Sequence, residues 1–341
     1  MSRRKMSPVE AIEYVLGVDG GNTKTIALVA RLDGTIDGYG RGGCSDIYTN
    51  PDPAVPLSEA EKAIRGALEM AGVEAETLAV GAFSMAGADW PEDFTLIESA
   101  MRAWGFGRRV MVVNDAVGAL WAGSLSGPAV VVACGTGAAT ASRSEDGRVW
   151  HSSWWQDPQG AHHMGMKTLQ AVYRAQLGID PPTMLTASVL RHFERESVEG
   201  VLHLFMSRVE GRPPSAKVSQ LSRVLLDAAE AGDLSARRIV QEHGEALGDY
   251  ALAAARQVGI EGCPFTLALT GGVFRHTCSL LAEALIARVR ASSPRVVPVY
   301  SRFEPAAGAL LLGLEAAGCS LEEPLLARLT DSLPDVSLFA T

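Results

Sequence analysis

The sequence predicts an α/β protein made of two similar halves around a central cleft. Apolar runs typical of strands alternate with helix-like stretches along the chain, and one unit of strand, glycine turn, strand, Asp-Gly turn and strand occurs twice. The length of 341 residues also suits two domains, because a domain has about 150 residues. Two such units imply two similar halves and a cleft between them.

The first unit begins with Tyr14 to Asp19, a short apolar run that predicts a buried strand. Thr25 to Arg31 follows the glycine turn directly, so the two runs are expected to pair as a hairpin. Asp33-Gly34 is a strong turn signal, and Thr35 to Tyr39 returns as a third strand. The rest of this half predicts helices at Leu57 to Ala71, Phe94 to Trp104 and Asp115 to Ala122, and strands at Leu78 to Phe83 and Val110 to Val113.

The second unit repeats this order. Ala129 to Ala133 leads into the turn Gly135-Thr136-Gly137, and Ala138 to Arg143 follows directly. Asp146-Gly147 lies nearly as far after its glycine turn as the first Asp-Gly pair does, which favours an internal duplication. Beyond Arg148 to His151 the sequence predicts mostly helix from Met164 to Val258, strands at Phe265 to Leu269 and Val296 to Tyr300, and helices at Ser279 to Arg290 and Pro305 to Ala317.

Composition excludes several classes of protein. A hydrophobic content of 47% with 20% charged residues excludes a disordered chain, and the net charge of -9 argues against a nucleic-acid partner. No apolar run reaches the roughly 18 residues of a membrane helix, and Met1 to Glu10 has no apolar stretch typical of a signal peptide. The five scattered cysteines predict neither a zinc site nor disulfides, and they indicate a cytoplasmic location.

The first glycine turn lies in the stretch Asp19 to Lys24, which we interpret as a phosphate-binding loop. Glycine lets backbone N–H groups converge on an anion because no Cβ blocks the approach. Thr23 would add a hydroxyl donor and Lys24 a charge, while Asp19 could hold Mg²⁺ through water. A plain hairpin, in which Asp19 and Asn22 shape the turn, is an equally good alternative.

Two further glycine turns also follow predicted strands. Gly135-Thr136-Gly137 is the matching turn of the second unit and would form a second phosphate clamp opposite the first. Gly271-Gly272 separates a strand from a helix, where glycine lets the helix end approach a flat ligand. A tight turn without a ligand is the alternative at both places.

Asn114-Asp115 stands at the end of an apolar strand, where ligands bind in α/β proteins. A carboxylate at this position can be a general base that accepts the proton of an attacking hydroxyl, as an Asp often does in phosphoryl transfer. The alternative is that Asp115 only caps the helix that starts at Ala116.

Four motifs together resemble the sugar kinase, heat-shock protein 70 and actin superfamily: Asp19 to Thr23, Asn114-Asp115-Ala116, Gly135-Thr136-Gly137 and Gly271-Gly272-Val273. Within it the chain looks most like the BadF/BadG/BcrA/BcrD ATPase family, which includes N-acetylglucosamine kinases. The resemblance implies two ribonuclease-H-like (actin-like ATPase) domains that close on ATP and Mg²⁺. Residues 12–123, joined by the helix 305–318, would form the N-terminal domain, and residues 124–304 the C-terminal one with a helical insertion.

The same resemblance assigns roles to residues. Asp115 would be the general base, Thr136 would lie near the terminal phosphates, and Asp19 would hold Mg²⁺ through water. The implied ATP-binding residues are Asp19, Gly20, Gly21, Asn22, Thr23, Lys24, Gly135, Thr136, Gly137, Gly271 and Gly272. The implied acceptor-binding residues are Ser45, Asp46, Ser84, Ala86, Gly87, Asn114, Trp155 and Asp157.

Two positions depart from the hexosamine kinase pattern. Pro158 follows Asp157 where that pattern has Glu, and Asp46 stands where the family often has Asn. These changes put N-acetylglucosamine itself in question but not a sugar-like acceptor. Trp154 and Trp155 would stack on a sugar ring, with burial in the core as the alternative.

The implied function is ATP-dependent phosphorylation of a hexosamine or related sugar hydroxyl, with no nucleic acid or membrane partner and with a homodimer left open. One alternative is an ATPase activator of a dehydratase, whose iron–sulfur cluster needs closely placed cysteines, whereas Cys263 and Cys278 are separated by a strand and a helix start. Another is a non-catalytic sensor of a sugar or nucleotide. Kinase-like repressors of that kind carry an added helix-turn-helix, for which the residues before Tyr14 are too few.

Overall fold

The computed structural model describes residues 13–157, 159–209 and 211–339. Met1 to Glu10 and Pro158, both discussed above, lie outside these ranges. The described chain divides into two compact units: one contains the residues up to Gly118 together with those from Ala306 onward, and the other contains residues 119–305. Each of these units is built on one five-stranded sheet.

The sheet of the first unit has the strand order β3-β2-β1-β4-β5. Its first three strands are antiparallel neighbours, whereas β1, β4 and β5 run parallel to one another. The carboxyl ends of these parallel strands are therefore at the same edge. The strands are β1 Tyr14–Gly20, β2 Thr25–Arg31, β3 Ile36–Gly42, β4 Leu78–Met85 and β5 Arg109–Asn114.

Helices pack this sheet closely, and glycine is what permits the contact. A Cβ at Gly40 of β3 would lie 2.0 Å from the Ala63 carbonyl oxygen, and one at Gly17 of β1 would lie 2.3 Å from the Leu310 nitrogen. Larger side chains at these positions would push the helices off the sheet. The helices that start in or belong to this part of the chain are α1 Ala54–Ala71, α2 Pro91–Ala103 and α3 Asp115–Gly123, with α11 Pro305–Ala316 and α12 Glu323–Ser332 after the second unit.

The sheet of the second unit has the order β10-β9-β6-β7-β8, which repeats the topology of the first sheet strand for strand. Again three antiparallel strands are followed by parallel ones. The duplication predicted from the two Asp-Gly units is therefore present in the fold, and the predicted α/β class is confirmed. The strands are β6 Ala129–Cys134, β7 Ala138–Arg143, β8 Val149–His151, β9 Thr266–Thr270 and β10 Val297–Tyr300.

A helical segment lies between β8 and β9, as the sequence predicts. Pro181-Pro182 and the stretch from Gly211 to Pro214 lie between helices and not within them. One large apolar core includes buried side chains from these helices and from the sheet. The helices are α4 Ala161–Gln176, α5 Leu185–Phe193, α6 Val198–Met206, α7 Ser215–Ser219, α8 Leu221–Glu230, α9 Leu234–Gln257 and, after β9, α10 Leu280–Arg290.

The differences from prediction lie at element ends and near the C-terminus. Helix α2 starts at Pro91 and not at Phe94, because proline suits the first helical position and the Asp93 carboxylate accepts the Trp90 N–H (2.8 Å). Helix α12 was not predicted, although Leu329 on it is fully buried. No helix in the described ranges is long and apolar enough to cross a membrane.

Candidate active site

The register of the first sheet brings three predicted motifs to one edge. Gly20 of β1 pairs with Met85 of β4, and Met85 pairs with Asn114 of β5. The Ala86 N–H donates to the Gly20 carbonyl oxygen (2.6 Å), so the segments that leave β1 and β4 stay together beyond the sheet. The first glycine turn and Asn114-Asp115 therefore belong to one site.

The first glycine turn is a hydrogen-bonded turn, in which the Gly21 N–H donates to the Lys24 carbonyl oxygen (2.9 Å). A Cβ at Gly20 would lie 2.5 Å from Ser45 Oγ, whereas the nearest atom to a Cβ at Gly21 would be 3.3 Å away. Packing therefore requires glycine at position 20, whereas a small side chain at position 21 would need only a slight shift of its neighbour. Asn22 and Thr23 are exposed, and Asp19 at the end of β1 is partly buried.

Lys24 has an intramolecular partner that the sequence does not reveal. Its ammonium donates to the carbonyl oxygen of Phe339, so the C-terminal segment engages the first glycine turn. Arg41 of β3 donates to the neighbouring Leu338 carbonyl oxygen (3.0 Å). The predicted charge of Lys24 is present at the turn, but part of its hydrogen-bonding capacity is already used.

The loop that carries Ser45 and Asp46 is tied to this turn. The Ser45 N–H donates to the Gly21 carbonyl oxygen (3.2 Å), and Thr25 Oγ1 lies 2.8 Å from Ser45 Oγ. Gly43, just before them, donates its N–H to the Glu59 carboxylate of α1 (2.6 Å). The Ser45 side chain is fully buried, and its hydrogen bonds link this loop to the first glycine turn.

The carboxylates of Asp46, Asp89, Asp93 and Asp115 lie close enough at this edge to affect one another, and Asp89 and Asp93 were not predicted. Asn114 Nδ2 donates to Asp89 Oδ1 (2.9 Å) and more weakly to the Ala88 carbonyl oxygen (3.3 Å). Asp93 accepts the Tyr48 hydroxyl (3.1 Å). The signal that could have found Asp89 is weaker than that for Asp115, because Asp89 lies in the loop after β4 and not directly at the strand end.

Asp115 begins α3, and its carboxylate has an unusual electrostatic environment. Burial, and then the negative charge of Asp89, raise its pKa to about 6, although the Ala116 N–H, which donates to Oδ1 (2.9 Å), lowers it. Within the described residues, Oδ2 of Asp115 accepts no hydrogen bond from another residue. A carboxylate with a pKa of about 6 is ionised at neutral pH, and its open oxygen can accept a proton.

Ser84, near the end of β4, contacts the first turn of α3. Its hydroxyl lies 3.2 Å from the Asp115 carbonyl oxygen and accepts the Gly118 N–H (3.2 Å), so it closes the first turn of the helix. Ala86 and Gly87 follow on the same side of the sheet, and a Cβ at Gly87 would lie 2.6 Å from Asp46 Oδ1. Gly87 also has a φ of +79°, which favours glycine.

In the second unit, the turn Gly135-Thr136-Gly137 is held by the start of α4. The Ala161 N–H donates to the Gly135 carbonyl oxygen (2.8 Å), and the His162 N–H donates to that of Thr136 (3.2 Å). A Cβ at Gly135 or at Gly137 would meet no atom within 4 Å. The structure of the chain therefore does not require glycine there, and the open space fits close approach by a ligand.

Gly271 lies beside this turn, and its glycine is required by the backbone. Its φ is +99°, and a Cβ would lie 2.4 Å from the Cys134 carbonyl oxygen. At Gly272 a Cβ would meet nothing within 4 Å. Gly271 is therefore required where β9 packs against β6, whereas Gly272 borders open space.

Trp154 and Trp155 are exposed, at 61% and 76% of their surfaces, so the alternative that they belong to the core is wrong. They lie in a short 3-10 helix, Ser153–Trp155. Asp157, two residues on, is also exposed, and its N–H donates to the Tyr250 hydroxyl (2.9 Å). These residues precede the start of α4 and so belong to the same end of the second unit as the Gly135–Gly137 turn.

Three side chains of the kinds that bind metal ions lie close together in the second unit, at Asp227, Glu230 and His276. The Cys278 N–H donates to His276 Nδ1 (3.0 Å), which leaves the proton of the neutral imidazole on Nε2. Nε2 lies 3.0 Å from Asp227 Oδ1 and donates to it. A metal ligand normally has the opposite arrangement, with its second nitrogen as a donor, so this group is explained by hydrogen bonding.

Two sheets of the same order, each containing a hairpin with a glycine turn, define the class of sugar kinases and actin-like ATPases. Within that class the chain belongs to the BadF/BadG/BcrA/BcrD ATPase family, which it matches over residues 16–313. The family predicted from the four motifs is therefore confirmed.

Relatives of known name agree with this membership. The chain is 26% identical over 306 residues to the N-acetylmuramic acid/N-acetylglucosamine kinase of Clostridium acetobutylicum. This alignment covers 88% of this chain and 98% of that protein. It is 25% identical over 320 residues to the N-acetyl-D-glucosamine kinase of Dictyostelium discoideum, with coverage of 89% and 98%. The fold matches that of a Chromobacterium violaceum protein provisionally assigned as an N-acetylglucosamine kinase, with a TM-score of 0.64, 23% identity and coverage of 89% and 99%.

Proposed function

We propose that this protein is an ATP-dependent kinase that phosphorylates a hydroxyl of a hexosamine. The observation that carries the proposal is Asp115, a carboxylate at the sheet edge with a raised pKa and one oxygen without a partner in the described chain. Both curated relatives are named as kinases of amino sugars, which supports the substrate class. The chemistry would be transfer of the terminal phosphoryl group of ATP to a sugar hydroxyl.

Asp115 would act as the general base. Its open oxygen would accept the proton of the attacking hydroxyl, and the Ala116 N–H on the other oxygen would hold the carboxylate in place. General-base catalysis accelerates a reaction by about 10²- to 10⁴-fold. Positioning and charge neutralisation would supply most of the remaining acceleration in phosphoryl transfer.

ATP would be bound by the glycine turns. The open space at Gly135 and Gly137 supports the second turn as a phosphate-binding element, with Thr136 near the terminal phosphates, and Gly272 borders similar space for the adenosine. In the first unit, the residues from Asp19 to Lys24 would form the first phosphate-binding loop. The carboxylate of Asp19 is a hard oxygen donor that fits Mg²⁺ held through water, and a bound Mg²⁺ would neutralise phosphate charge.

The acceptor would be bound at the edge of the first sheet by Ser45, Asp46, Ser84, Ala86, Gly87 and Asn114, which the structure brings together in the first unit. Tyr48 and Trp90 are half-exposed next to the Asp93 carboxylate, and aromatic faces suit a sugar ring. We propose Trp155 and Asp157 of the second unit as further acceptor-binding residues. A homodimer and a cytoplasmic location stay predictions.

The test is a coupled assay of ADP release with a panel of amino sugars, comparing the wild type with Asp115→Asn. We expect kcat to fall by at least 100-fold in the variant, because a general base contributes about 10²- to 10⁴-fold. In the wild type, kcat/KM should fall about tenfold per pH unit below about pH 6, where Asp115 becomes protonated.

The exposed Asp331 of α12 offers a matched control, since Asp331→Asn removes the same charge from the same unit. We expect that variant to keep wild-type kcat. Turnover of no sugar by the wild type, or full activity of Asp115→Asn in a folded protein, would contradict the proposed function.

A further inference from the structure

We propose that the acceptor pocket of the first unit selects an amino sugar whose nitrogen is a free ammonium group over the N-acetylated sugar. The inference rests on the proposed function and specifies its substrate. It is carried by the side chains of Asp46, Asp89 and Asp115, which surround the same edge of the sheet, and by carboxylate oxygens there that have no donor.

The three carboxylates are linked through short contacts within the first unit. Asp46 Oδ1 lies against the backbone at Gly87, where an added Cβ would be only 2.6 Å away. The next residue, Ala88, and Asp89 both accept from Asn114 Nδ2, at 3.3 and 2.9 Å. Asp115 follows Asn114 directly, so one continuous chain of contacts runs from Asp46 to Asp115.

The charges in this pocket are of one sign. Burial raises the pKa of Asp46, and the charges of Asp89 and Asp93 raise it further, although the Tyr48 N–H opposes the shift. Asp89 and Asp46 likewise raise the pKa of Asp115 after burial. The charged side chains that raise the pKa values of these two carboxylates, Asp46, Asp89 and Asp93, are all negative.

Two oxygens of the pocket lack a donor. Asp46 is only 9% exposed, and its Oδ1 accepts the Tyr48 N–H (3.0 Å), whereas its Oδ2 has no hydrogen-bond partner in the described chain. Oδ2 of Asp115 likewise accepts no hydrogen bond from another residue of the described chain. Neither oxygen is one of the fully buried side-chain atoms without a partner, so both are accessible and can receive hydrogen-bond donors from a ligand.

The chemistry of the ligand nitrogen decides which sugar meets that need. An ammonium group has three donors, no acceptor and a positive charge, and its hydrogen bonds to carboxylates are about twice as strong as neutral ones. An acetamide has one N–H donor, no charge and a carbonyl oxygen that carboxylates repel. A plain hydroxyl has one donor and is also uncharged.

The experiment measures kcat/KM of the full chain for glucosamine, N-acetylglucosamine and glucose at neutral pH. We expect glucosamine to exceed each of the other two sugars by at least tenfold. In Asp46→Asn, which retains an oxygen for the Tyr48 N–H, the ratio of glucosamine to glucose should fall by about tenfold. Glu92→Gln is the matched control, because Glu92 is exposed on α2 and its loss should leave the ratio unchanged.

The comparison of the three sugars in the wild type does not depend on how any variant folds. Phosphorylation of N-acetylglucosamine at least as efficient as that of glucosamine would overturn this inference and leave the proposed function intact. An unchanged ratio of glucosamine to glucose in folded Asp46→Asn would also overturn it. Failure to phosphorylate any sugar would remove the proposed function and this inference with it.

Discussion

At the scale of single residues, Asp115 has a role that conflicts with stability. The carboxylate lies among like charges, which raise its pKa to about 6 after burial, whereas an unfolded Asp titrates near 4. Between these values the folded chain binds more protons than the unfolded chain. The ionised form therefore destabilises the fold above about pH 6, a pattern typical of functional sites.

The first prediction is that Asp115→Asn stabilises the protein at pH 8. Because the folded-state pKa is raised, the penalty is fully present above about pH 6 and vanishes as the pH falls below about 4. The free energy of unfolding should rise by about 1–3 kcal/mol at pH 8, since one pKa unit corresponds to about 1.4 kcal/mol. Urea unfolding at pH 8 and pH 4 measures the difference.

The Asp331→Asn control should show no such pH-dependent gain, because that carboxylate is exposed. Equal or lower stability of Asp115→Asn at pH 8 would show that the charge on Asp115 is compensated in the folded protein.

At the scale of elements, the glycines at the turns fall into two groups with different physical causes. A Cβ at Gly160, before α4, would lie 2.3 Å from the backbone carbon of Gly137, so packing requires this glycine. At Gly137 itself a Cβ would meet no atom within 4 Å. The sequence alone presents both simply as glycine.

The second prediction uses this difference. Gly160→Ala should lower the free energy of unfolding by about 1–3 kcal/mol, because overpacking against backbone atoms cannot be relieved by a rotamer change. Gly137→Ala should leave stability nearly unchanged but raise KM for ATP at least tenfold, since the added methyl group would occupy space proposed for a phosphate. Thermal unfolding and initial-rate kinetics of both variants measure these effects.

If Gly137→Ala binds ATP normally, the open space next to this turn does not belong to the nucleotide. In that case the turn is explained by the hairpin of β6 and β7 alone.

At the scale of the whole molecule, two sheets of equal topology each present a glycine turn between a first and a second antiparallel strand. The proposed ATP-binding residues come from both copies. A nucleotide bound as proposed must therefore affect backbone amides in each unit.

The third prediction is tested by hydrogen exchange of the full chain. A non-hydrolysable ATP analogue with Mg²⁺ should slow exchange at residues 20–24, 135–137 and 271–272. Helix α12 serves as the internal reference, because no ATP contact is proposed there. Protection confined to one of the two units would contradict the assignment of ATP-binding residues to both.

Much of the fold could be predicted from the sequence because its signals are local. Thr25 to Arg31 was predicted to the residue, since an apolar run between a glycine turn and an Asp-Gly turn has few alternatives. Helix α12 could not be predicted, because its position depends on contacts with residues far away in the sequence. One such contact is the hydrogen bond from the Ile36 N–H to Ser332 Oγ (2.9 Å).

The candidate site divides in the same way. Asp19, Asp115 and the glycine turns could be identified one by one, because strand ends and turns are visible in the sequence. Asp89 was missed, and its relation to Asn114 depends on the parallel pairing of β4 with β5. Neither Lys24's contact with the C-terminal segment nor the exposure of Trp154 has a local signal.

By itself, the sequence determined the α/β class, the duplicated unit and the family, since periodicity, turn chemistry and short motifs depend on neighbouring residues. The tertiary structure alone decided that Asp46, Asp89 and Asp115 meet at one sheet edge. It also decided which oxygens there lack a donor, and how far the pKa of Asp115 moves. The physical reason is that charge interaction and burial depend on distance in space, which sheet register and helix packing set.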